Sequence, residues 1–494
     1  MPASLFDDVL GPVMRGPSSS HCAAALRIGR LARDRMAGRI AGVEVTLDRF
    51  GSLATTFRPQ GSEMGLCGGL LGWEVTDPRL PDAAAALRTA GIDLVVRIEE
   101  RRDPHPNTYR LRLRGPDGAE AALTALSLGG GAIEVVELDG TPLGLRGDRE
   151  VRLRRVPDGW RECRPGEAAE VVLAPVTSVG PLPLGAELPF RDAAGLLAHD
   201  AGRGLPLWRH AAAYESIRAG LSEEEVLARA AELVCIVRDS IAAGIAGTSW
   251  DDRILPAQTP AFEAARAAGA LLGGGILDPV LVAVSALMEV KSSMGVILAA
   301  PTAGACAAFP AAAVAGAEAL GRDQNAAARA LLAGGAIGLL VAEGATLAAE
   351  EGGCQAEGGT AAGMAAAAFA DLGGGTFEQS LAAASLALQS TLGLACDPVA
   401  NRVEVPCLGK NLLAAATGFA CANLALAGGD PVIPIDQVVA TMDRVGRALP
   451  RELRCTGLGG LSVTPAAKAI EAQLGIRPRS VDPIKTRSRH LRRP

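Results

Sequence analysis

Aromatic side chains are scarce in this sequence. Phe, Trp and Tyr make up 3% of its 494 residues, whereas hydrophobic residues as a whole make up 49%. The core must therefore be built from Ala, Leu, Val and Ile, and 60 glycines leave room for close backbone contacts. This composition predicts closely packed helices that meet through small side chains.

An excess of positive charge is also absent. The formal net charge is −6 and the pI is about 5.6, which argues against a nucleic-acid partner because phosphate backbones attract basic surfaces. The N-terminal stretch MPASLFDDVLGP lacks the basic region and apolar run of a signal peptide. We therefore expect a cytoplasmic protein.

Long uninterrupted apolar helices are lacking as well, although the mean hydropathy of +0.24 raises the question of a membrane. The longest uncharged run, residues 292–317, is long enough to cross a bilayer. It is rich in Ala, however, and Pro301 and Pro310 interrupt it. The run therefore predicts a helix, a loop and a second helix in a buried core, and no membrane partner.

Ten cysteines are present, but no two of them have the C-x-x-C spacing. That absence excludes zinc ribbons and thioredoxin-like redox motifs. Structural disulfides are not expected in a reducing cytoplasm. The cysteines are therefore buried free thiols, a catalytic thiol, or cluster ligands gathered from distant positions.

The pattern of apolar residues divides the chain into two halves. Residues 1–160 mix alternating, strand-like stretches with helical ones, and they predict a small α/β domain. Residues 161–185 are rich in Pro and Gly and predict a linker. Residues 186–475 are rich in Ala and Gly with a helical period, which predicts a larger all-α catalytic domain and an α+β fold overall. Residues 476–494 predict a solvated basic tail.

Three cysteines of the helical half lie beside residues that break helices. Cys354 is framed by glycines in EGGCQAEGG, Cys396 precedes Asp-Pro, and Cys407 follows a proline. Free backbone N–H groups at helix ends lower the pKa of a thiol, and glycines permit a close approach to a cluster. Cys235 and Cys421 occupy apolar helical positions and are interpreted as core residues. The residues alone leave a cluster and ordinary buried thiols both open.

Nine short stretches resemble the iron–sulfur-dependent L-serine dehydratases, also called L-serine ammonia-lyases. They occur in that family's order over nearly the whole chain, with a small β domain before a catalytic α domain. The spacing of Cys354, Cys396 and Cys407 also matches the family's ligand spacing. The stretches are GPSSSH (16–21), GSLATT (51–56), HPNT (105–108), SLGGGAIEV (127–135), APTAGAC (300–306), GGCQAE (352–357), CDPVA (396–400), VEVPC (403–407) and TGLGGLSVTPAAK (456–468).

The resemblance implies a [4Fe–4S] cluster held by Cys354, Cys396 and Cys407, with one iron left to act as a Lewis acid on the substrate. The implied reaction is β-elimination from L-serine to pyruvate and ammonia. Pyridoxal phosphate, which needs a lysine Schiff base, is not expected, since Lys291 and Lys410 are the only lysines in the core of the helical half. We expect a small amino-acid substrate and a homodimer.

Several residues are expected to bind the substrate. Ser18, Ser19 and Ser20 precede a predicted helix, where hydroxyls, free N–H groups and the positive end of the helix dipole suit a carboxylate. A simple helix cap is the alternative interpretation. Thr302 and Gly304 in APTAGAC are interpreted as a second helix start that holds a carboxylate or an amino group.

Histidines are few, and only His21 and His105 of the five lie in the stretches that resemble the family. Both are candidates for the base that removes the α-proton. His21 is preferred because it directly follows the serines. His199 and His210 are expected on helix surfaces.

The sequence departs from the family's pattern at Gln60, where the family commonly has the histidine of G-H-G-T-D. Glutamine cannot act as a base, although Gln60 remains a candidate for substrate binding. The departure leaves the substrate open. Alternatives are elimination from another β-hydroxy or β-thiol amino acid, such as L-cysteine desulfidation, and a non-catalytic iron–sulfur sensor.

Overall fold

The computed structural model describes residues 2–474. A region of mixed strands and helices is followed by a region that is almost entirely helical. The predicted α+β fold is therefore confirmed. The predicted basic tail, 476–494, lies outside the described residues.

Strands are concentrated in the N-terminal region. The described strands are β1 (Val13–Arg15), β2 (Gly42–Asp48), β3 (Asp93–Glu99), β4 (Thr108–Arg114), β5 (Glu120–Gly129), β6 (Ala132–Leu138), β7 (Thr141–Leu145), β8 (Val151–Val156), β9 (Gly159–Glu162), β10 (Val171–Leu173) and β11 (Val296–Leu298). Three sheets result, in the orders β3-β2-β4-β5-β6-β7, β10-β8-β9 and β1-β11. In the six-stranded sheet β2 and β3 run parallel, and the other neighbours run antiparallel.

Helices dominate the C-terminal region. The α-helices are α1 (Ala24–Arg35), α2 (Leu53–Thr56), α3 (Ser62–Leu70), α4 (Ala83–Thr89), α5 (Ala193–Asp200), α6 (Leu207–Ala219), α7 (Glu223–Ala246), α8 (Thr259–Ala267), α9 (Leu277–Ser292), α10 (Ala308–Ala319), α11 (Gln324–Gly344), α12 (Ala349–Gly352), α13 (Thr360–Leu372), α14 (Phe377–Ser390), α15 (Cys407–Leu426), α16 (Ile435–Ala448) and α17 (Pro465–Gln473). Short π-helical turns cover Leu5–Val9, Ser19–Ala23 and Gln355–Gly359, and 3₁₀ turns cover Leu80–Asp82, Ala303–Ala305, Val399–Asn401, Arg451–Leu453 and Gly460–Val463.

Glycines let α1 and α3 approach closely. A Cβ on Gly29 would come within 2.6 Å of the carbonyl oxygen of Leu66, and a Cβ on Gly69 within 2.9 Å of Gly29 Cα. Only residues without a Cβ permit this distance between helix backbones. The close packing fixes α1, whose N-terminal end continues from the turn that carries the three serines.

Alanine-rich helices form the core of the helical region. α13 is buried along almost its whole length and packs against α11, α14 and α15. Within the described residues, α11 is the helix that is long and apolar enough to cross a membrane, and 78% of its apolar window is buried. That burial is typical of a core helix.

The uncharged run 292–317 contains the predicted second helix, but a strand stands where the first helix was predicted. It contains the last residue of α9, then β11, a loop with a 3₁₀ turn, and most of α10. The sequence did not indicate β11. The strand is extended because Ile297 pairs with Met14 of β1, so the sheet joins the two regions.

Other local predictions differ from the structure. The segment 161–185, predicted as a linker, contains β10, which pairs with β8. His210 is buried, because it packs on Phe377 and lies 3.2 Å from Asp200. Cys235 is exposed on the solvent side of α7, so its interpretation as a core residue is wrong.

Candidate active site

Two cysteines and one acid meet in the helical region. One ligand atom each of Cys354, Glu357 and Cys396 lies within 4.8 Å of the other two. Cys354 stands directly before the turn Gln355–Gly359, and Cys396 lies in the loop after α14. Gly353 ends α12 with a φ of 72°, a conformation that favours glycine. The chain therefore changes direction directly before Cys354.

Cys407, the third predicted ligand, lies nearby. It is the first residue of α15 and is buried. Burial raises the pKa of the Cys407 thiol to about 12, and the charge of Cys354 adds to this effect. The structure therefore brings Cys354 and Cys396 together and leaves Cys407 beside them, outside the 4.8 Å group.

Lys410 supplies positive charge to the thiols. Its Nζ donates a hydrogen bond to Asp397 Oδ1 at 2.8 Å. The hydrogen bond with Cys396, together with the charge of Lys410, lowers the pKa of Cys354. Burial alone would lower the pKa of Lys410, but the charges of Cys354 and Asp397 raise it. The site is thus built to keep a thiolate and a cation together.

Lys291 is fully buried in α9. Its Nζ donates a hydrogen bond to the carbonyl oxygen of Val403, and its charge acts on the Cys407 thiol. Lys291 and Lys410, the two lysines considered for a Schiff base, therefore both donate hydrogen bonds, to Val403 and to Asp397, which lie close in sequence to Cys407 and Cys396.

Glu357 links the thiols to the stretch APTAGAC. Thr302 Oγ1 donates a hydrogen bond to Glu357 Oε1 at 2.7 Å. A Cβ on Gly304 would come within 2.9 Å of both carboxylate oxygens, and Asn411 Nδ2 holds the Gly304 carbonyl oxygen at 3.0 Å. Desolvation raises the pKa of Glu357. Gly304 therefore leaves room for an acid that Thr302 orients.

The serines of residues 18–20, called the serine turn below, contact the same stretch. Ser19 Oγ accepts a hydrogen bond from the backbone N–H of Ala303 at 3.0 Å. Ser18 Oγ lies 3.1 Å from His21 Nδ1. The Ser20 hydroxyl has no hydrogen-bond partner within residues 2–474, and the side chain is buried. The structure thus joins the serine turn to the residue that follows Thr302.

His21 is buried between two polar groups. Its Nε2 lies 2.7 Å from Thr56 Oγ1, and Thr56 Oγ1 donates its own hydrogen to the Ser52 carbonyl oxygen at 3.0 Å. Thr56 therefore accepts from Nε2–H, which leaves the lone pair of the neutral ring on Nδ1. Nδ1 faces Ser18 and lies 3.6 Å from Glu350 Oε1. Burial lowers the pKa of His21 to about 3.

His105 is held by partners at both ring nitrogens. Its Nε2 lies 3.3 Å from Glu351 Oε1, and its Nδ1 accepts a hydrogen bond from the Asn107 backbone N–H at 3.2 Å. The hydrogen bond to His105 lowers the pKa of Glu351. This arrangement fixes the loop of His105 to the end of α12.

Gln60 is buried and points at a cysteine that the sequence reasoning missed. Gln60 Nε2 donates a hydrogen bond to Cys455 Sγ at 3.3 Å. Cys455 packs with Cys354 and Cys396 in one buried cluster. Its position directly before the stretch 456–468 was the signal that could have found it.

Two acids were also missed as site residues. Glu350 adjoins His21, and burial, with the charge of Glu357, raises the pKa of Glu350 to about 7. Glu357 shares the 4.8 Å group with Cys354. Their position around a glycine-framed cysteine was the available signal, since acids close to a thiol in sequence can share its site.

A cleft of about 390 Å³ adjoins these residues. Ser52 and Glu350 contribute to its wall, and so do Arg102, Arg451 and Arg454. Arginines at the wall of a cleft attract carboxylates. The wall holds acidic side chains in equal number, so its charges of both signs suit the approach of a small zwitterionic molecule.

These features define an α+β protein with a buried, cysteine-rich candidate metal site where its two regions meet. The family described as "Serine dehydratase alpha chain" matches residues 202–462. The "Probable L-serine dehydratase, alpha chain" of Bacillus subtilis (strain 168) is 44% identical over 209 residues, which cover 42% of this chain and 69% of the relative. The "Probable L-serine dehydratase, beta chain" of the same organism is 41% identical over 145 residues, or 29% of this chain and 64% of the relative.

A single-chain relative covers both regions. The "L-serine dehydratase" of Streptomyces coelicolor (strain ATCC BAA-471 / A3(2) / M145) is 29% identical over 505 aligned residues, which cover 94% of this chain and 99% of the relative. The chain belongs to the L-serine dehydratase family of lyases, in its single-chain form. The resemblance inferred from the short stretches is confirmed.

Proposed function

We propose that this protein, as a homodimer, eliminates water from L-serine to give pyruvate and ammonia with a [4Fe–4S] cluster as cofactor. The observation that carries the proposal is the group formed by Cys354, Glu357 and Cys396. Through Glu357 and Thr302 this group is hydrogen-bonded to the stretch that the serine turn contacts. The thiols proposed to hold a cluster and the hydroxyls proposed to bind the substrate are therefore connected through adjacent residues. The names of the relatives support L-serine as the substrate.

The residues present fit an iron–sulfur cluster. Thiolates are the soft ligands that such clusters require. Cys354, Cys396 and Cys407 are all buried, and Cys354 interacts with each of the other two thiols. Lys410 offsets negative charge at Cys354. In this proposal the three cysteines hold the cluster, which when bound supplies a Lewis acid for the β-hydroxyl of the substrate.

The serine turn and Thr302 are proposed to bind the substrate carboxylate. The helical turn begins at Ser19, so its first N–H groups have no partner inside the helix and lie at the positive end of its dipole. The Ser20 hydroxyl is available, and Ser19 can still donate its own hydrogen after accepting one from the backbone. Gln60 Nε2 uses one hydrogen for a sulfur and has a second for the substrate.

His21 Nδ1 is proposed to take the α-proton. The atom carries the lone pair of the neutral ring and adjoins the serine turn. An imidazole with a pKa of about 3 is a weak base by itself. An ionised Glu350, 3.6 Å from Nδ1, would stabilise the imidazolium that forms. His105 is the second candidate, and its two partners favour a positioning role instead.

Replacing Ser20 with alanine is expected to raise KM for L-serine by about tenfold or more. A lost hydrogen bond to a charged group costs roughly 1.5–3 kcal/mol, and about 1.4 kcal/mol corresponds to a factor of ten. Steady-state kinetics with unchanged iron content would measure this. Ser390→Ala, at the exposed end of α14, is the control. Unaltered kinetics in both Ser19→Ala and Ser20→Ala would leave the serines as helix caps.

The function is tested by reconstituting the protein with iron and sulfide without oxygen and assaying 2-oxo acids over a panel of β-hydroxy and β-thiol amino acids. We expect L-serine to give the highest kcat/KM and to yield pyruvate and ammonia in equal amounts. Protein treated identically without iron is the control. Faster turnover of L-cysteine would favour desulfidation, and a bound cluster with no turnover of any amino acid would favour a sensor.

A further inference from the structure

A second cleft lies between helix α1 of the N-terminal region and helix α7 of the helical region. Its volume is about 810 Å³, which is within the range of small-molecule sites in proteins. Residues from the segments 6–13, 74–75 and 175–178 complete its wall. Among the described residues, its lining shares no member with the cleft beside the cysteines. We call this second cleft the α1–α7 groove.

The floor of the α1–α7 groove is apolar. Leu10, Leu26 and Leu233 are buried there, and Val75 and Ile236 extend the apolar surface. An aliphatic group gains free energy when it leaves water for such a surface. The floor therefore favours a ligand with an aliphatic part.

The charged side chains on the α1 side of the groove are already paired. Arg27 Nη2 lies 3.2 Å from Asp7 Oδ1, and Arg30 Nη1 lies 2.6 Å from Glu74 Oε1. Each pair combines opposite charges and leaves no net charge. This side of the groove therefore has little attraction for an ion.

Arg229 and Glu232 of α7 also line the groove, and neither is paired. Within residues 2–474, neither side chain forms a salt bridge or a hydrogen bond, although they are three residues apart on one helix. The Arg229 guanidinium lies over the ring of Phe6, 5.8 Å from its centroid, which holds this cation at the groove. α7 thus places a positive and a negative charge side by side next to the apolar floor.

The groove also adjoins the strand that leads into the serine turn. Pro12 and Val13 line it. The Pro12 carbonyl oxygen accepts a hydrogen bond from the Ala299 N–H at 3.1 Å, and Val13 pairs with Leu298 of β11. Ala299 directly precedes the stretch APTAGAC. A ligand in the groove is therefore connected, through one short sheet, to both stretches proposed to bind the substrate.

We infer that the α1–α7 groove binds a free α-amino acid with an aliphatic side chain. Arg229 binds its carboxylate, Glu232 binds its ammonium group, and the aliphatic side chain lies on the apolar floor. An α-amino acid carries both charges on atoms attached to the same carbon as its side chain. It therefore complements two opposite charges one helical turn apart and an apolar surface beside them. The binding is non-covalent.

Isothermal titration calorimetry of the full chain with L-leucine tests the site. Wild type is expected to bind with a Kd of about 1 mM or tighter. Arg229→Gln and Glu232→Gln should each weaken binding by at least about tenfold, because each removes a hydrogen bond between charged groups. Arg238→Gln is the matched control, since this arginine of α7 pairs with Glu318 instead of lining the groove. It should match wild type.

Two analogues of L-leucine test the two charges separately. 4-Methylpentanoate lacks the ammonium group and 3-methylbutylamine lacks the carboxylate, so each should bind at least about tenfold more weakly than L-leucine. The inference is overturned if wild type binds no L-leucine, if both glutamine variants bind it as wild type does, or if either analogue binds equally well. Calorimetry does not depend on turnover, so each of these results leaves the proposed function standing.

The connection to the serine turn is tested by steady-state kinetics, and this part rests on the proposed function. Saturating L-leucine should change KM for L-serine about fivefold or more in wild type, a typical size for coupling between sites. Arg229→Gln should show no such change at the same L-leucine concentration. L-Leucine that binds wild type without changing KM would overturn the connection and leave the binding site. Absence of turnover would count against the proposed function alone.

Discussion

Cys354→Ser is expected to abolish both the cluster and the turnover of L-serine. Cys354 is buried in the 4.8 Å group, and its pKa is lowered by the hydrogen bond with Cys396 and by the charge of Lys410. A serine hydroxyl at this position remains protonated and is a harder, weaker ligand for iron. Iron and sulfide per chain, and the broad visible absorbance of anaerobic protein, should fall to background.

The control for this change is Cys421→Ser in α15, which is half-buried and lies among the helices rather than in the thiol group. It should keep the iron content, the spectrum and turnover of wild type. Thermal unfolding of the iron-free proteins separates a lost ligand from a damaged core. Full iron and sulfide in folded Cys354→Ser would remove Cys354 from the ligand set.

Much of the fold could be predicted because its signals are local. Pro301 in the uncharged run indicated a break before a helix, and the structure has α10 after that break, although β11 replaces the helix predicted before it. The serine turn indicated a helix start, which the structure has at Ser19. Hydrophobic period and helix-breaking residues depend on near neighbours, so one sequence suffices to interpret them.

Contacts between distant segments could not be predicted in the same way. β11 is three residues long and pairs only with β1, which lies near the start of the N-terminal region, far from β11 in the sequence. The burial of His210 likewise depends on Phe377, far along the chain. Sequence pattern carries no information about which segments meet, because tertiary contacts override local preference.

The candidate site shows the same limit. Cys354 and Cys396 were selected because each adjoins a helix-breaking residue, which is a local feature. Cys455 was not selected, because its importance comes from the contact with Cys396 and from Gln60, which reaches it from the N-terminal region. The glutamine that departs from the family's pattern is thus hydrogen-bonded to a cysteine whose contact with Cys396 only the three-dimensional structure shows.

His21→Ala is expected to lower kcat for L-serine by about two to four orders of magnitude, the usual contribution of a general base. The reason is that His21 Nδ1 is the unprotonated ring nitrogen beside the serine turn. KM should change little, and L-serine should still alter the spectrum of the cluster. His105→Ala is the matched control and should cost much less, because both of its ring nitrogens already have partners.

The pH dependence of turnover separates a base from a merely structural histidine. The pKa of Glu350 is raised to about 7 by burial, so this carboxyl is protonated below that pH and ionised above it. Only the ionised form stabilises a positive charge on His21, 3.6 Å away. Turnover by the wild type should therefore rise as the pH passes upward through about 7. Glu350→Gln cannot ionise, so its turnover should be low and lack that rise, with the iron content unchanged.

Two results would show that the α-proton goes to another group: near-normal turnover by His21→Ala, or a wild-type rise with pH in Glu350→Gln. If His105→Ala then loses more turnover than His21→Ala, His105 is the base.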